Sequence, residues 1–247
     1  MRRAPFVIVT CEHGGNRIPA PYRPLFGDAQ AVLATHRGYD AGALALARAL
    51  AAALSATLVA STISRLLVDL NRSVGNRGLY SDYTRTLPRG EHARILAAHY
   101  LPYRREVERR VTRAIAAGRR VVHVSSHSFT PVLDGRRRNA DIGLLYDPAR
   151  PGERALCARW SRSLAPRVQP LRVRRNYPYE GKNDGLTSHL RRRFTATQYV
   201  GVEIEINQKH VHRNRFPAVL ERAAIGSLRE AIADSSVSAR ALAARHQ

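Results

Sequence analysis

Cysteine, lysine and long apolar runs are the scarce features of this 247-residue chain. Two cysteines, Cys11 and Cys157, permit at most one bridge, which excludes a disulfide-stapled scaffold. Cys11 directly precedes Glu12-His13 and is a formal candidate nucleophile. A free cysteine at a strand end more commonly acts as a small buried hydrophobe, and that is the reading adopted. No uninterrupted apolar run approaches the roughly 20 residues needed to span a bilayer, so no membrane association is expected. The run Phe6 to Thr10 is too short for a signal-peptide core, and no small-residue cleavage site follows it. A cytoplasmic protein is the expectation.

Lysine occurs only at Lys182 and Lys209, although Lys and Arg together number 41 against 19 Asp and Glu, for a net charge of +22. Charge of that size invites a nucleic-acid partner, because phosphate neutralisation drives non-specific binding. Nearly all of it is arginine, scattered in groups such as Arg104-Arg105, Arg119-Arg120 and Arg136 to Arg138. No recognition motif accompanies these groups, so no specific nucleic acid is expected. A basic nucleic-acid-binding protein is kept as the reading from a different functional class. An anionic small substrate also suits such a field.

Strand-like and helix-like segments alternate along the chain, with no repeat and no linker-like stretch. That pattern predicts a single α/β domain over 1–247, with a mixed, largely parallel central sheet flanked by helices. Strands are read at Phe6 to Thr10, Thr57 to Ser61, Arg119 to Ser125, Ile142 to Tyr146 and Tyr199 to Gln208. A helix follows Asp40, a natural N-cap, and another runs from Glu91 to Ala117 with a break at Pro102. Further helices are read from Glu153 to Leu164, from about Thr187, and from Ala218 to about Ala233. The last dozen residues are expected to fray.

The stretch Val121-Val-His-Val-Ser-Ser-His127-Ser-Phe129 delivers an imidazole to the end of a β-branched run. Other strand ends and their loops add His13, Asp40 and Glu205, with Arg65, Asn71 and Arg72 as further candidates. Two histidines and a carboxylate, with one position left for water, form a recurrent catalytic zinc shell. Alternation places Glu203 and Glu205 on one strand face and Val202, Ile204 and Ile206 on the other. A glutamate there can take the proton of a water, and an arginine can face the oxyanion formed when an amide is attacked. The plainer alternatives are an N-cap for Asp40, an ordinary surface pair for Arg65 and Arg72, and an arginine-orienting role for Asp69.

These residues carry a family resemblance. The chain resembles the N-formylglutamate amidohydrolase family and, more distantly, zinc carboxypeptidases and aspartoacylase. The resemblance rests on Ser126-His127-Ser128-Phe129, on Asp69-Leu70-Asn71-Arg72 with Arg65 upstream, and on Glu205 in Glu-Ile-Asn-Gln. It extends from about Val7 to Gln208 and implies a zinc carboxypeptidase-like fold. The activity implied is zinc-dependent hydrolysis of a linear amide in a small anionic N-acyl amino acid, N-formylglutamate-like. His13, Asp40 and His127 would hold one Zn2+, although imidazole and carboxylate also suit other divalent metals. Glu205 would serve as base, Arg65 would assist the scissile carbonyl, and Asn71 with Arg72 would bind the substrate carboxylate. Asn176 and Tyr179 would line the pocket. The short spacing of the relatives falls on Asn16, a poor ligand, so residues 16–39 are read as an insertion that makes Asp40 the third ligand. Glu12 competes with Asp40, and Glu203 with Glu205. A carboxypeptidase-like hydrolase of a peptide or cell-wall fragment is the enzymatic alternative.

Overall fold

The β-branched runs assemble into one six-stranded sheet. A computed structural model describes residues 3–244, with side chains up to 234. The strands are β1 (Phe6–Cys11), β2 (Thr57–Ala60), β3 (Val121–Phe129), β6 (Ile142–Leu145), β7 (Val173–Arg175) and β8 (Tyr199–Asn207). A separate hairpin joins β4 (Val132–Leu133) to β5 (Arg136–Arg137). In space the sheet runs β2-β1-β3-β8-β6-β7. The first four are mutually parallel; β6 is antiparallel to β8 and parallel to β7. The chain is thus a single-domain α/β fold with a mixed, mostly parallel sheet flanked by helices.

Helices cover both faces, as buried parallel strands require. They are α1 (Gln30–Leu33), α2 (Ala43–Ala53), α3 (Arg89–Ile95), α4 (Leu101–Ala116), α5 (Pro151–Leu164), α6 (Leu186–Arg193) and α7 (Ala218–Ala244). Val9, Val124, Val202 and Ile204 pack on one face with Leu46 and Leu50 of α2, Trp160 of α5 and Leu228 of α7. Ile8, Val121 and Tyr199 pack on the other with Val107 and Val111 of α4 and Leu190 of α6. Each large side chain withdrawn this way contributes about 1.5–3 kcal/mol. Every residue of β3 and of β8 is buried. Among the described residues, no helix is long and apolar enough to cross a membrane.

The second face is not purely apolar. Thr10, His123 and Tyr199 form a buried chain, with Thr10 Oγ1 2.8 Å from His123 Nε2 and His123 Nδ1 2.6 Å from the Tyr199 hydroxyl. The groups satisfy one another, which makes their burial tolerable. Burial also pushes the His123 pKa down to about 4, so the ring is a neutral link at ordinary pH.

Several local expectations are corrected. The strand read as Arg119 to Ser125 is β3 and continues to Phe129, so His127 lies within the strand rather than just past its end. Asp40 does not cap α2: Gly42 holds that position, with a φ of 81° and no side-chain cap bond. Pro102 sits within the first turn of α4, and the irregular turn is the π-helical Leu96–Tyr100 before it. Pro102 lacks the N–H that a regular helix would use there, and Leu101 N instead bonds back to Leu96 O. The β4–β5 hairpin was not anticipated, although Asp134-Gly135, with φ of 48° and 73°, is the turn chemistry such hairpins favour. The short β7 was also missed. Helix α7 continues to Ala244, and the fraying expected of the last dozen residues concerns a segment outside the described side chains.

Candidate functional site

Strand periodicity builds one wall of the site. Ser125 and His127 on β3, Glu203 and Glu205 on β8, and Glu12 just beyond β1 share the polar face of the sheet. The other walls come from loops that return to this point. Residues 16–39 leave the sheet, run through a 3-10 segment (Ala20–Ala29) and α1, and come back with Asp40 N bonded to His13 O at 2.9 Å. Asn16 is used inside this excursion, its amide donating to Leu33 O at 3.2 Å.

His13, Asp40 and His127 meet there. One ligand atom from each lies within 4.8 Å of the other two. All three are buried, at 2%, 4% and 3% exposure. Asp40 Oδ2 is 2.8 Å from His127 Nδ1 and 3.4 Å from His13 Nδ1. The opposite ring nitrogens are also held. His13 Nε2 is 2.7 Å from Asp69 Oδ1. His127 Nε2 is 3.1 Å from Glu12 Oε2 and 2.8 Å from Ser125 Oγ. Ser125 donates its single hydroxyl proton to Glu12 Oε2 at 2.6 Å, so His127 Nε2 must carry the hydrogen between them. With Nε2 protonated on both rings, each imidazole turns its Nδ1 toward the same carboxylate oxygen, Asp40 Oδ2. Such a convergence repels itself unless a cation or a proton sits within it.

The electrostatics follow from that crowding. Burial favours a neutral His127, but hydrogen bonds to Asp40 and Glu12 hold its pKa well above the ordinary value. Burial would raise Asp40 and Glu12, yet the His13 charge for Asp40, and the His127 hydrogen bonds to both, keep them well below the usual carboxylate range. Glu205 behaves in the opposite way. It stands beside His127 in register on the adjacent parallel strand, and its Oε2 is buried without a hydrogen-bond partner. Burial, helped by the charges of Asp40 and Glu203 and opposed by His127 and Arg65, pushes its pKa up to about 8. Glu203 is already engaged, accepting from Thr187 Oγ1 at 2.6 Å. Of the two strand glutamates, Glu205 is the one with an oxygen that is both buried and unpartnered.

The remaining sequence candidates divide. Arg65 reaches the cluster, with Nε and Nη2 on Asp69 Oδ2 at 3.2 and 2.8 Å and Nη1 3.4 Å from Asp40 Oδ1. Its side chain keeps 26% exposure, so it is a fixed cation on the open side. Asn71 Nδ2 lies 3.5 Å from His127 Nε2, while its Oδ1 accepts from Leu186 N at the start of α6. Arg72 donates to Asp184 O at 2.9 Å. Tyr179 adjoins the site: burial raises its phenol and the Glu205 charge adds to that. Asn176 does not face it. Its Oδ1 accepts from Tyr146 N and Gly181 N, and its φ of 49° marks a turn-forming residue. Cys11 is fully buried, and burial pushes its thiol well up, in keeping with a packing role.

Sequence reasoning undervalued Asp69, which orients His13 as well as Arg65. It missed Ser125, which the period-two spacing to His127 could have exposed, and Tyr103, whose hydroxyl donates to Glu12 Oε1 at 3.0 Å. Nothing local in the sequence marks Tyr103, because α4 brings it in from outside the motifs.

Comparison with known proteins identifies the family and the fold. The family model described as N-formylglutamate amidohydrolase matches residues 5–211. The crystal structure of a gene product from Agrobacterium tumefaciens superposes with a TM-score of 0.78 at 33% identity, covering 95% of this chain and 91% of that one. An N-formylglutamate amidohydrolase from Ralstonia eutropha JMP134 shares the fold with a TM-score of 0.69 at 22% identity, covering 92% and 93%. No curated protein matches.

Proposed function

The chain belongs to the N-formylglutamate amidohydrolase family, and from that premise we propose that it hydrolyses the amide bond of a small, anionic N-acyl amino acid with the help of one divalent metal ion. The observation that carries the reading is the convergence of His13 Nδ1, Asp40 Oδ2 and His127 Nδ1 beside a protonatable, unpaired Glu205. The donor set fits a zinc-type cation: two imidazoles whose far nitrogens are held by carboxylates, plus one carboxylate oxygen. A divalent cation there would polarise the scissile carbonyl, acidify a water and draw down the raised pKa of Glu205.

The protein's own groups have separable tasks. Glu205 takes a proton from the attacking water and returns it to the leaving amine, for which a carboxyl titrating near neutrality is suited. Arg65, immobilised by Asp69 and Asp40, faces the negative charge that develops on the carbonyl oxygen. Asn71 and Arg72, held by the α6 N-terminus and by Asp184, are assigned to the α-carboxylate of the amino acid. Glu12 and Asp69 keep each imidazole in the tautomer that presents Nδ1. Glu12 is therefore assigned to support and Asp40 to ligation.

The test is a substrate panel on protein of known metal content. N-formylglutamate, other N-acyl amino acids and short peptides are compared, with release of the free amine as readout. Turnover of N-acyl amino acids that is lost on chelation and restored by metal is the expected result. Turnover of peptides alone would return the assignment to a peptidase.

A further inference from the structure

The carboxylate of Asp184 has no part in the functions assigned above. It stands two residues before α6, half-buried, and reaches across to the irregular segment 69–79 that carries Asn71 and Arg72. Its Oδ2 accepts from Ser73 N at 2.9 Å and from Asn76 Nδ2 at 2.8 Å, and its Oδ1 accepts from Ser73 Oγ at 2.5 Å. Hydrogen bonds to an ionised acceptor are the strong kind. The backbone beside the carboxylate meets the two side chains directly. Arg72 Nη1 donates to Asp184 O at 2.9 Å, and Leu186 N donates to Asn71 Oδ1 at 2.7 Å. Between them, a Cβ on Gly185 would stand 3.0 Å from Asn71 Oδ1, so any larger residue there would press on that amide.

Principles of loop structure make such a tie consequential, because a segment without helix or strand is mobile unless its groups are bonded elsewhere. This segment borders the metal-ligand cluster. Asp69 Oδ1 accepts from Asn71 N at 2.8 Å and lies 2.7 Å from His13 Nε2. Asn71 Nδ2 lies 3.5 Å from His127 Nε2. Two contacts from the α4 side fix backbone only. Tyr100, the last residue of the π-helical turn, donates its hydroxyl to Arg72 O at 2.7 Å, and Arg104 Nη1 donates to Leu70 O at 3.1 Å. The amide oxygen of Asn71 and the guanidinium of Arg72 are bonded by residues 184–186 instead.

We propose that the Asp184 carboxylate is a positioning residue: by locking residues 73–76 against the start of α6, it sets Asn71 and Arg72 as a preformed clamp for the substrate's α-carboxylate. The inference rests on the hydrolase reading above, in which that pair takes the α-carboxylate. Without the lock the two segments part and the clamp must be ordered by the substrate itself, which costs affinity. The imidazoles keep their own supports in Asp69, Glu12 and Ser125.

The experiment compares kcat/KM for the best N-acyl amino acid of the panel above and for its α-amide in wild type, Asp184→Ala, Asp184→Asn and Gly185→Ala, with metal affinity and Tm measured for each. Asp184→Ala is expected to lose roughly 10–100-fold on the acid, mostly in KM, and less than about 3-fold on the α-amide, with metal affinity unchanged. Asp184→Asn should recover most of that loss, because its one oxygen still accepts from Ser73 N and Asn76 while its amide donates to Ser73 Oγ. Gly185→Ala, which presses on Asn71 from the same side, should show the same selective loss on the acid at a smaller size, and it carries the test alone should Asp184→Ala fold poorly. Equal losses on the acid and its α-amide, a fall in metal affinity, or full activity in Asp184→Ala would overturn the assignment while leaving the hydrolase reading intact. A metal-loaded wild type that turns over no N-acyl amino acid overturns both.

Discussion

His127 and Glu205 are register partners on adjacent parallel strands, so an imidazole and a carboxyl stand side by side on one face, roughly 5 Å apart at the backbone. The imidazole carries hydrogen bonds on both nitrogens, while the carboxyl keeps one oxygen buried and unpaired. A buried group without partners is raised toward neutrality, and one with several is locked. In the proposed function the pair therefore divides into a fixed ligand and a proton carrier.

Glu205→Gln is expected to lower kcat by about 10²–10⁴-fold with little change in bound metal. It should also stabilise chelator-treated protein in a pH-dependent way. The folded pKa of Glu205 is about 8, above the unfolded value near 4.3, so the folded state retains the proton that the unfolded state loses. Wild-type stability then falls as pH rises between those values, by an amount on the order of 3–5 kcal/mol across the whole window. Denaturant titrations should find the variant's advantage much larger at pH 8 than at pH 5; an equal advantage at both would remove Glu205 as the titrating group.

His127→Ala is expected to lose both metal and activity, whereas Asp69→Asn should keep the metal site but weaken its affinity about 10–100-fold. Competition against a chromophoric chelator measures both. An alanine variant with full metal content would sink the ligand assignment.

Glu12 and Asp40 make opposite predictions. Glu12→Gln should retain stoichiometric metal at reduced affinity, because Glu12 touches the far side of the His127 ring at Nε2. Asp40→Asn should lose stoichiometric binding. Elemental analysis after dialysis that gives the reverse order would make Glu12 the ligand.

Gly143 faces Glu205 across the β6–β8 pair. A Cβ there would lie 2.1 Å from Tyr177 O and 3.3 Å from Glu205 Cβ. Gly143→Ala must displace the loop backbone that leads to Tyr179. Expected are a loss of about 1–3 kcal/mol in stability and a larger effect on KM than a distant alanine would have. Urea unfolding and steady-state kinetics read both.

Neither thiol should matter to the chemistry. Burial raises Cys11 and Cys157 well above the ordinary thiol range. Native protein at pH 8 is expected to resist thiol reagents and keep full activity, and both residues should label only after unfolding. Rapid native labelling of Cys11 with loss of activity would reopen the nucleophile reading.

The sequence by itself determined five of the six strands of the central sheet, the sheet type and most of the side chains that meet at the candidate site. Alternation in Tyr199 to Asn207 put Glu203 and Glu205 together on one face, and the run before His127 marked a buried strand. Those features are local, set by side-chain period and β-branched composition. Which carboxylate meets the histidines was decided by tertiary structure alone. Asp40 reads as a helix cap from its neighbours, yet the return of residues 16–39 to His13 O turns its side chain inward, onto His127. Asp69 and Tyr103 enter from a separate loop and a distant helix. Hydrogen bonds at sequence separations of 56 and 91 position them, and no local pattern encodes such closures.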